Sequence, residues 1–367
     1  MTKKNAIKLT SFVVIFVLLF GLCSMAFKTN SDNTRIFKGI YAEKENSLDV
    51  LFVGASCMKT NFISPIAYRD YGFTSYTFGL DGICFEMLQP MMIEVMSTQS
   101  PKVVLLDLRT VSIDFTNQKA RTVIDHMKWS DNKRVTIEKF RGEDSDISFY
   151  LTMDKYHSRW QDLGSVFAYY FFLYDETRKC GALEEFSTKE LFVDNKHPLK
   201  GFYTSAVTTE IEMYKSFSEV TEEVKVSDST EKALNEMMDY AEKNNINIVF
   251  LISPMAYSEN IVENEKTPQK INYAKKLVES KGFKCIDFRS EEISEEVSFD
   301  YSKDFGDYRH LNINGALKAT DYLSSYLVKE YNLPDHRNDA AYNGEWQKSV
   351  NCAETLIDYC NKNMIYK

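Results

Sequence analysis

Five short stretches of nearly continuous apolar, β-branched or aromatic residues, at 49–53, 75–78, 102–108, 246–252 and 284–288, alternate along this chain with helical patterns. A half-exposed strand alternates apolar with polar side chains. These stretches do not, so both of their faces must be covered. The segment 230–243 gathers Ala233, Leu234, Met237, Met238 and Ala241 on one helical face, and 313–330 does the same with Ala316, Leu317, Tyr322, Leu323, Tyr326 and Leu327. Further helical patterns occupy 85–96 and 270–281. Strand and helix in alternation predict an α/β fold of three layers, α/β/α, around a parallel sheet. In such sheets ligands gather beyond the carboxyl ends of the strands, where the strand order reverses.

Several of those ends carry polar residues. Ser56 lies just past the first, Asp107 and Arg109 at the third, and Ser253 at the fourth. The stretch 111–226 breaks the alternation. It is rich in aromatic and charged residues, with Phe-Ala-Tyr-Tyr-Phe-Phe at 167–172, and reads as a mainly helical insertion placed to serve as a lid or substrate platform over the rim. It interrupts a domain spanning 48–335. A tail at 336–367 carries a helical pattern through Ala353, Leu356, Ile357 and Cys360, expected to pack on the outside.

At the other end, Lys3, Lys4 and Lys8 precede residues 9–27, which hold no charge and only Thr10, Ser11 and Ser24 as polar side chains. Such a run makes a helix of about 28 Å, close to the hydrocarbon thickness of a bilayer. The lysines keep 1–8 in the cytoplasm, so 9–27 reads as a single-pass signal-anchor in the cell membrane, 28–47 as a spacer and the remainder as extracytoplasmic. The apolar run is long for a cleaved signal peptide and no small-x-small site follows it. Leu22 before Cys23 rules out a lipoprotein signal.

A net charge of −9 argues against nucleic acid as a partner, since binding there needs a basic surface. Seven cysteines show no C-x-x-C pair, and Cys352 and Cys360, about 12 Å apart along a helix, are too distant to bridge. His126, His197 and His336 lack metal-ligand spacing, so neither metal nor cofactor is expected.

Chemistry is suggested by Ser56 at a strand tip and by Asp307-Tyr308-Arg309-His310-Leu311-Asn312 far downstream. A serine hydroxyl becomes nucleophilic when an imidazole takes its proton and a carboxylate fixes the imidazole tautomer. Asp307 and His310 stand one turn apart, and the amides of Ser56 and Gly79 could meet an oxyanion. Each residue also has a plainer reading. Ser56 or Asp307 would cap a helix, Cys57 would be a small buried thiol, and His310 a satisfied structural histidine. His157, Arg159 and Trp160 would line a site for an anion or sugar, or form an aromatic core with a surface arginine.

Taken together, Gly54-Ala55-Ser56, Phe78-Gly79 and Asp307-x-x-His310-Leu311-Asn312 followed by Gly315-Ala316 resemble the block pattern of the SGNH/GDSL hydrolase superfamily. The resemblance is closest to its membrane-anchored branch, similar to DltD and the alginate O-acetylation proteins, and extends to 156–160 and 271–273. It implies a flavodoxin-like fold with Ser56 as nucleophile, His310 as general base, Asp307 as its orienter, and Ser56 and Gly79 amides as oxyanion donors. The founding members carry a Gly-x-Asn-Asp block. This chain has Asp107-Leu108-Arg109-Thr110 there, so Arg109 is the expected substitute donor. The implied activity is that of a serine esterase or O-acyltransferase on acyl groups of a cell-envelope glycan or teichoic-acid-like polymer, with a multi-pass membrane O-acyltransferase as donor-side partner. The alternative is a catalytically silent binding module of an envelope assembly complex.

Overall fold

A computed structural model describes residues 2–27, 32–141, 149–150, 197–211 and 217–367. All five expected strands are present: β1 (Val50–Gly54), β2 (Ser75–Gly79), β3 (Val103–Asp107), β4 (Ile248–Ile252) and β5 (Lys284–Asp287). They pair in parallel in the order β2-β1-β3-β4-β5. Helix α1 (Lys3–Phe27) precedes the sheet, and helices α2 (Asp32–Ala42), α3 (Ser56–Asn61), α4 (Ser64–Tyr71), α5 (Leu88–Met96), α6 (Asn117–Ile124), α7 (Asp131–Phe140), α8 (Asp228–Lys243), α9 (Thr267–Ser280), α10 (Glu291–Val297), α11 (Ile313–Tyr331) and α12 (Ala340–Lys362) connect and cover its strands.

Strand alternation divides the sheet's side chains between two cores. Leu51, Val53, Val104, Leu106, Phe250 and Ile252 pack with Phe37 of α2, Met91 of α5, Met238 of α8 and Ile271 of α9. Their neighbours Val50, Phe52, Val103, Leu105, Val249 and Leu251 pack with Met58 of α3, Val297 of α10 and Leu323 and Leu327 of α11. Each fully buried aliphatic or aromatic side chain contributes about 1.5–3 kcal/mol, so two filled faces make the layered arrangement far better than any half-covered sheet. The tail is more than an outer strap. Cys352, Ala353, Leu356 and Cys360 of α12 form a third buried cluster with Ile66 of α4 and Ala316 of α11.

The outer edge of β2 would expose unpaired amides, and residues 197–204 cover it. The Thr77 N–H donates to the Lys200 carbonyl at 2.9 Å. Gly201 makes this approach possible: its φ is +87°, and a Cβ there would stand 1.9 Å from the Thr77 oxygen. Lys200, itself buried, sends its ammonium to both Glu43 oxygens (2.8 and 2.9 Å) and to Glu345 (2.7 Å), joining this segment to the end of α2 and to α12.

His197 in the same segment is buried. Burial first, then the nearby cations Arg35, Lys200 and Lys59, push its pKa down to about 3. The native imidazole therefore stays neutral where the unfolded one takes up a proton. Stability is expected to fall as the pH drops from about 6.5 toward 3, by about 1.4 kcal/mol per pH unit from this group. Chemical denaturation of the wild type and of His197→Asn across that window should show a steeper loss for the wild type.

Helix α1 stands apart from all three clusters, and Phe12, Val13, Ile15, Phe16, Leu18 and Leu22 are exposed along it. Its portion Lys3–Cys23 is long and apolar enough to cross a membrane, and a helix of this kind near an N-terminus is either a membrane span or a signal sequence.

Candidate active site

The first arm of the site is the turn from β1 into α3. Gly54 closes the strand against Asp107, so closely that a Cβ at 54 would lie 2.3 Å from the Asp107 Cβ. The buried Asp107 carboxylate then organises the turn. Its Oδ2 accepts from the Ala55 N–H (3.1 Å) and the Cys57 thiol (3.0 Å), and its Oδ1 from the Arg109 N–H (3.1 Å). Ala55, not Ser56, is the N-cap of α3, and no side chain caps that helix. The Ser56 hydroxyl is thus spared the capping role and faces outward from the first helical position. Cys57 faces inward, where burial above all raises its thiol to about 12, leaving no thiolate to compete as nucleophile.

The second arm is the antiparallel hairpin of β6 (Phe305–Asp307) and β7 (His310–Leu311), which leads into α11. Asn312, fully buried, caps that helix: its Oδ1 accepts from the N–H groups of Asn314 (2.9 Å) and Gly315 (3.3 Å), while its Nδ2 donates to Thr208 Oγ1 (2.9 Å) and the Lys303 carbonyl (2.7 Å). Gly315 has no room for a side chain, since a Cβ would stand 2.3 Å from the Asp304 carbonyl. With Asn312 as cap, Asp307 is free for another task. Its Oδ1 accepts from the backbone N–H of Arg309 (2.7 Å) and of His310 (3.0 Å), and its carboxylate meets His310 Nδ1 at 2.9 and 3.0 Å.

The two arms meet where Ser56 Oγ lies 2.8 Å from His310 Nε2. Burial tends to raise the Asp307 pKa, but the hydrogen bond and charge of His310 and two backbone amides outweigh it, and the group sits below the usual carboxylate range. An ionised carboxylate only accepts, so Nδ1 carries a proton, and in the neutral form of the ring Nε2 offers its lone pair to the serine hydroxyl. In this arrangement the hydroxyl proton has an acceptor and the imidazolium that would form has a countercharge.

Arg109 is elsewhere than the sequence suggested. Its guanidinium is buried and donates through Nη1 to the carbonyls of Arg309 (3.0 Å) and Pro254 (3.3 Å), and it is not among the residues lining the cleft around Ser56. It fastens the histidine loop instead of facing substrate, together with the Ala256 N–H bonded to the Tyr308 carbonyl (2.9 Å), Thr209 Oγ1 bonded to the Gly306 carbonyl (2.7 Å) and the Arg309–Glu265 ion pair. Asp107 and Arg109, two residues apart at the end of β3, therefore hold one arm each. Gly79 packs on the first turn of α3, where a Cβ would come within 2.9 Å of both the Ala55 carbonyl and the Lys59 amide, and like Arg109 it is not among the residues lining the cleft. His157, Arg159 and Trp160 lie outside the described residues.

A cleft of about 270 Å³ opens over the serine, lined by Ser56, Lys59, Thr60, Asp81, Tyr203, Ser205 and the 306–311 loop. Lys59, Asp81, Tyr203 and Ser205 were not singled out from sequence. The available signal was a lysine three residues after Ser56, hence on its face of the helix. Tyr203 and Ser205 come from the described end of the 111–226 insertion, so that segment does reach the site. A larger cavity of about 400 Å³ near Tyr257 and Gln269 contains none of the Ser56, His310 and Asp307 groups. Among the described residues, no group of three His, Cys, Asp or Glu side chains is arranged to hold a metal ion. No known family model matches this chain, and neither does any curated protein.

Proposed function

We propose that this protein is a serine acyl-transfer enzyme of the SGNH type, held at the cell membrane by α1 with its catalytic domain on the extracytoplasmic side. Its substrates are acyl esters of a cell-envelope glycan or teichoic-acid-like polymer. One observation carries the reading: Ser56 Oγ, His310 Nε2 and the Asp307 carboxylate form an unbroken hydrogen-bonded chain at 2.8 and 2.9 Å. The parallel strand order supports it, because order 2-1-3-4-5 is that of flavodoxin-like sheets, whose ligand crevice lies beside the first strand at its carboxyl end. Ser56 sits there.

In this mechanism Ser56 Oγ attacks the ester carbonyl as its proton passes to His310 Nε2. The tetrahedral oxyanion is received by the backbone amide of Ser56. When the carbon–oxygen bond to the leaving alcohol breaks, His310 returns its proton to that alcohol and an acyl-serine remains. A second hydroxyl, from water or from a sugar or polyol, loses its proton to His310, attacks the acyl carbon and releases Ser56 with its hydrogen restored. Asp307 stays ionised throughout and holds the ring in register. A multi-pass membrane O-acyltransferase on the donor side would supply the acyl group.

The test is incubation of the full chain in detergent with a 4-nitrophenyl ester, with and without an envelope polymer as acceptor. Release of nitrophenol with acyl groups appearing on the polymer supports transfer, and release with free acid only supports an esterase. No turnover, together with no labelling of Ser56 by a fluorophosphonate, would leave the binding-module alternative standing.

A further inference from the structure

Lys59 lies one helical turn beyond Ser56 and opens onto the same cleft, yet the mechanism above gives it no task. Its side chain is only 4% exposed, and its Nζ stands 2.8 Å from Asp81 Oδ1 and 4.5 Å from the centroid of the Tyr203 ring. A dehydrated ammonium must keep a countercharge, because leaving it unpaired in a low-dielectric site is strongly unfavourable. Here the countercharge comes from a side chain that is itself 56% exposed. Asp81 belongs to a surface turn with Gly82, whose φ is +63° and around which there is open space. Because that carboxylate remains largely hydrated, its pairing gains little and exchanging it for another anion costs it little.

Lys59, by contrast, is fixed. Its carbonyl accepts the Tyr203 N–H at 2.8 Å, and the bare Cα of Gly79 seats its backbone against β2. The Tyr203 ring adds a cation–π face and Ser205 brings a hydroxyl to the same wall, whereas the Thr60 hydroxyl donates to the Cys57 carbonyl at 3.0 Å. A rigid buried cation beside a nucleophile, with a partner that water can take back, is built to receive an anion from the cleft.

We propose that Lys59, with Tyr203 and Ser205, forms an anion subsite, and that the enzyme selects esters bearing a carboxylate or phosphate a few bonds from the scissile carbonyl. The inference rests on the acyl-transfer reading and adds to it the charge of the substrate. Asp81 occupies the subsite when no substrate is bound.

The acyl-side source is tested with two esters of equal chain length, 4-nitrophenyl pentanoate and mono-4-nitrophenyl glutarate, hydrolysed by the full chain in detergent. The alcohol-side source is tested by calorimetric binding of glycerol 3-phosphate, against glycerol, to the full-length Ser56→Ala protein, with glutarate titrated in parallel. An acyl-side anion predicts about tenfold higher kcat/KM for the glutarate ester, expressed mainly in KM, and binding of glutarate. An alcohol-side anion predicts binding of glycerol 3-phosphate but not of glycerol. In either case Lys59→Met should remove the discrimination, Lys59→Arg should retain most of it, and Asp81→Asn should increase it by removing the resident carboxylate. The proposal is overturned if charged and neutral esters are handled alike and neither anion binds. It is also overturned if Lys59→Met slows both esters equally, which would place Lys59 at the reacting carbonyl. Failure of the subsite alone leaves pentanoate hydrolysis and Ser56 labelling intact. Failure of the acyl-transfer reading removes both, and the anion titrations still decide the subsite.

Discussion

Ser56→Ala should lower esterase kcat by about 10⁴-fold or more and abolish fluorophosphonate labelling, while leaving the melting temperature close to that of the wild type. The separation of the two effects follows from the local structure. The hydroxyl caps no helix, because Ala55 holds that position, and its partner across the cleft is His310. Removing it leaves no buried group unpaired, so stability should change by no more than about 0.5 kcal/mol. Asp307→Asn should cost about as much activity by a different route. The asparagine amide would donate to Nδ1, the ring proton would move to Nε2, and the serine would face a donor instead of a base. Steady-state kinetics with a 4-nitrophenyl ester, alongside thermal denaturation, measures both. A Ser56→Ala protein with ordinary turnover would end the acyl-serine mechanism.

Gly54→Ala should strain the structure and the site together. The added methyl would stand 2.3 Å from the Asp107 Cβ and 3.0 Å from that residue's Oδ2, in a sheet interior without free space. Strand β1 and the end of β3 must separate, at a cost of about 1–3 kcal/mol as for other overpacked cores. Activity should suffer more than stability. Asp107 holds the Ala55 amide and the Cys57 thiol on either side of the nucleophile, so a shift of that carboxylate moves Ser56 relative to His310. A misplacement near 1 Å costs about 10²-fold in rate. Urea denaturation and kcat on the same preparation should show this disproportion, and a variant with normal kcat would show that Asp107 does not position the nucleophile.

Much of this arrangement was legible before the fold was seen, for a physical reason that differs from element to element. The five sheet strands announced themselves because strands covered on both faces cannot afford polar interruptions. Ser56, Asp307 and His310 were legible as residue types the chemistry requires, but their convergence depends on Gly54, Asn312 and Gly315, whose meaning lies in close approaches that spacing does not reveal. The placement of Arg109 is not legible in sequence, because the direction of a buried guanidinium is decided by which distant carbonyls need a donor, and those belong to Pro254 and Arg309. Lys59 was passed over because a lysine in a short helix ordinarily faces water. Its burial is imposed by Tyr203, which arrives from another part of the chain. The two-residue strands Val207–Thr208 and Ile365–Tyr366 pair with each other but are too short to leave any periodic trace.

Ile36, Phe37 and Ile40 of α2 are already packed in the main core, and Tyr76 donates its hydroxyl to the Ile36 carbonyl at 2.9 Å. Folded structure thus resumes within a few residues of the apolar helix, and the peptide joining Phe27 to Asp32 can span at most about 18 Å when drawn taut. In the anchored protein proposed above, that tether is too short to let the catalytic body patrol the envelope. Polymer chains must come down to it, and the enzyme would work only on the layer of acceptors nearest the bilayer.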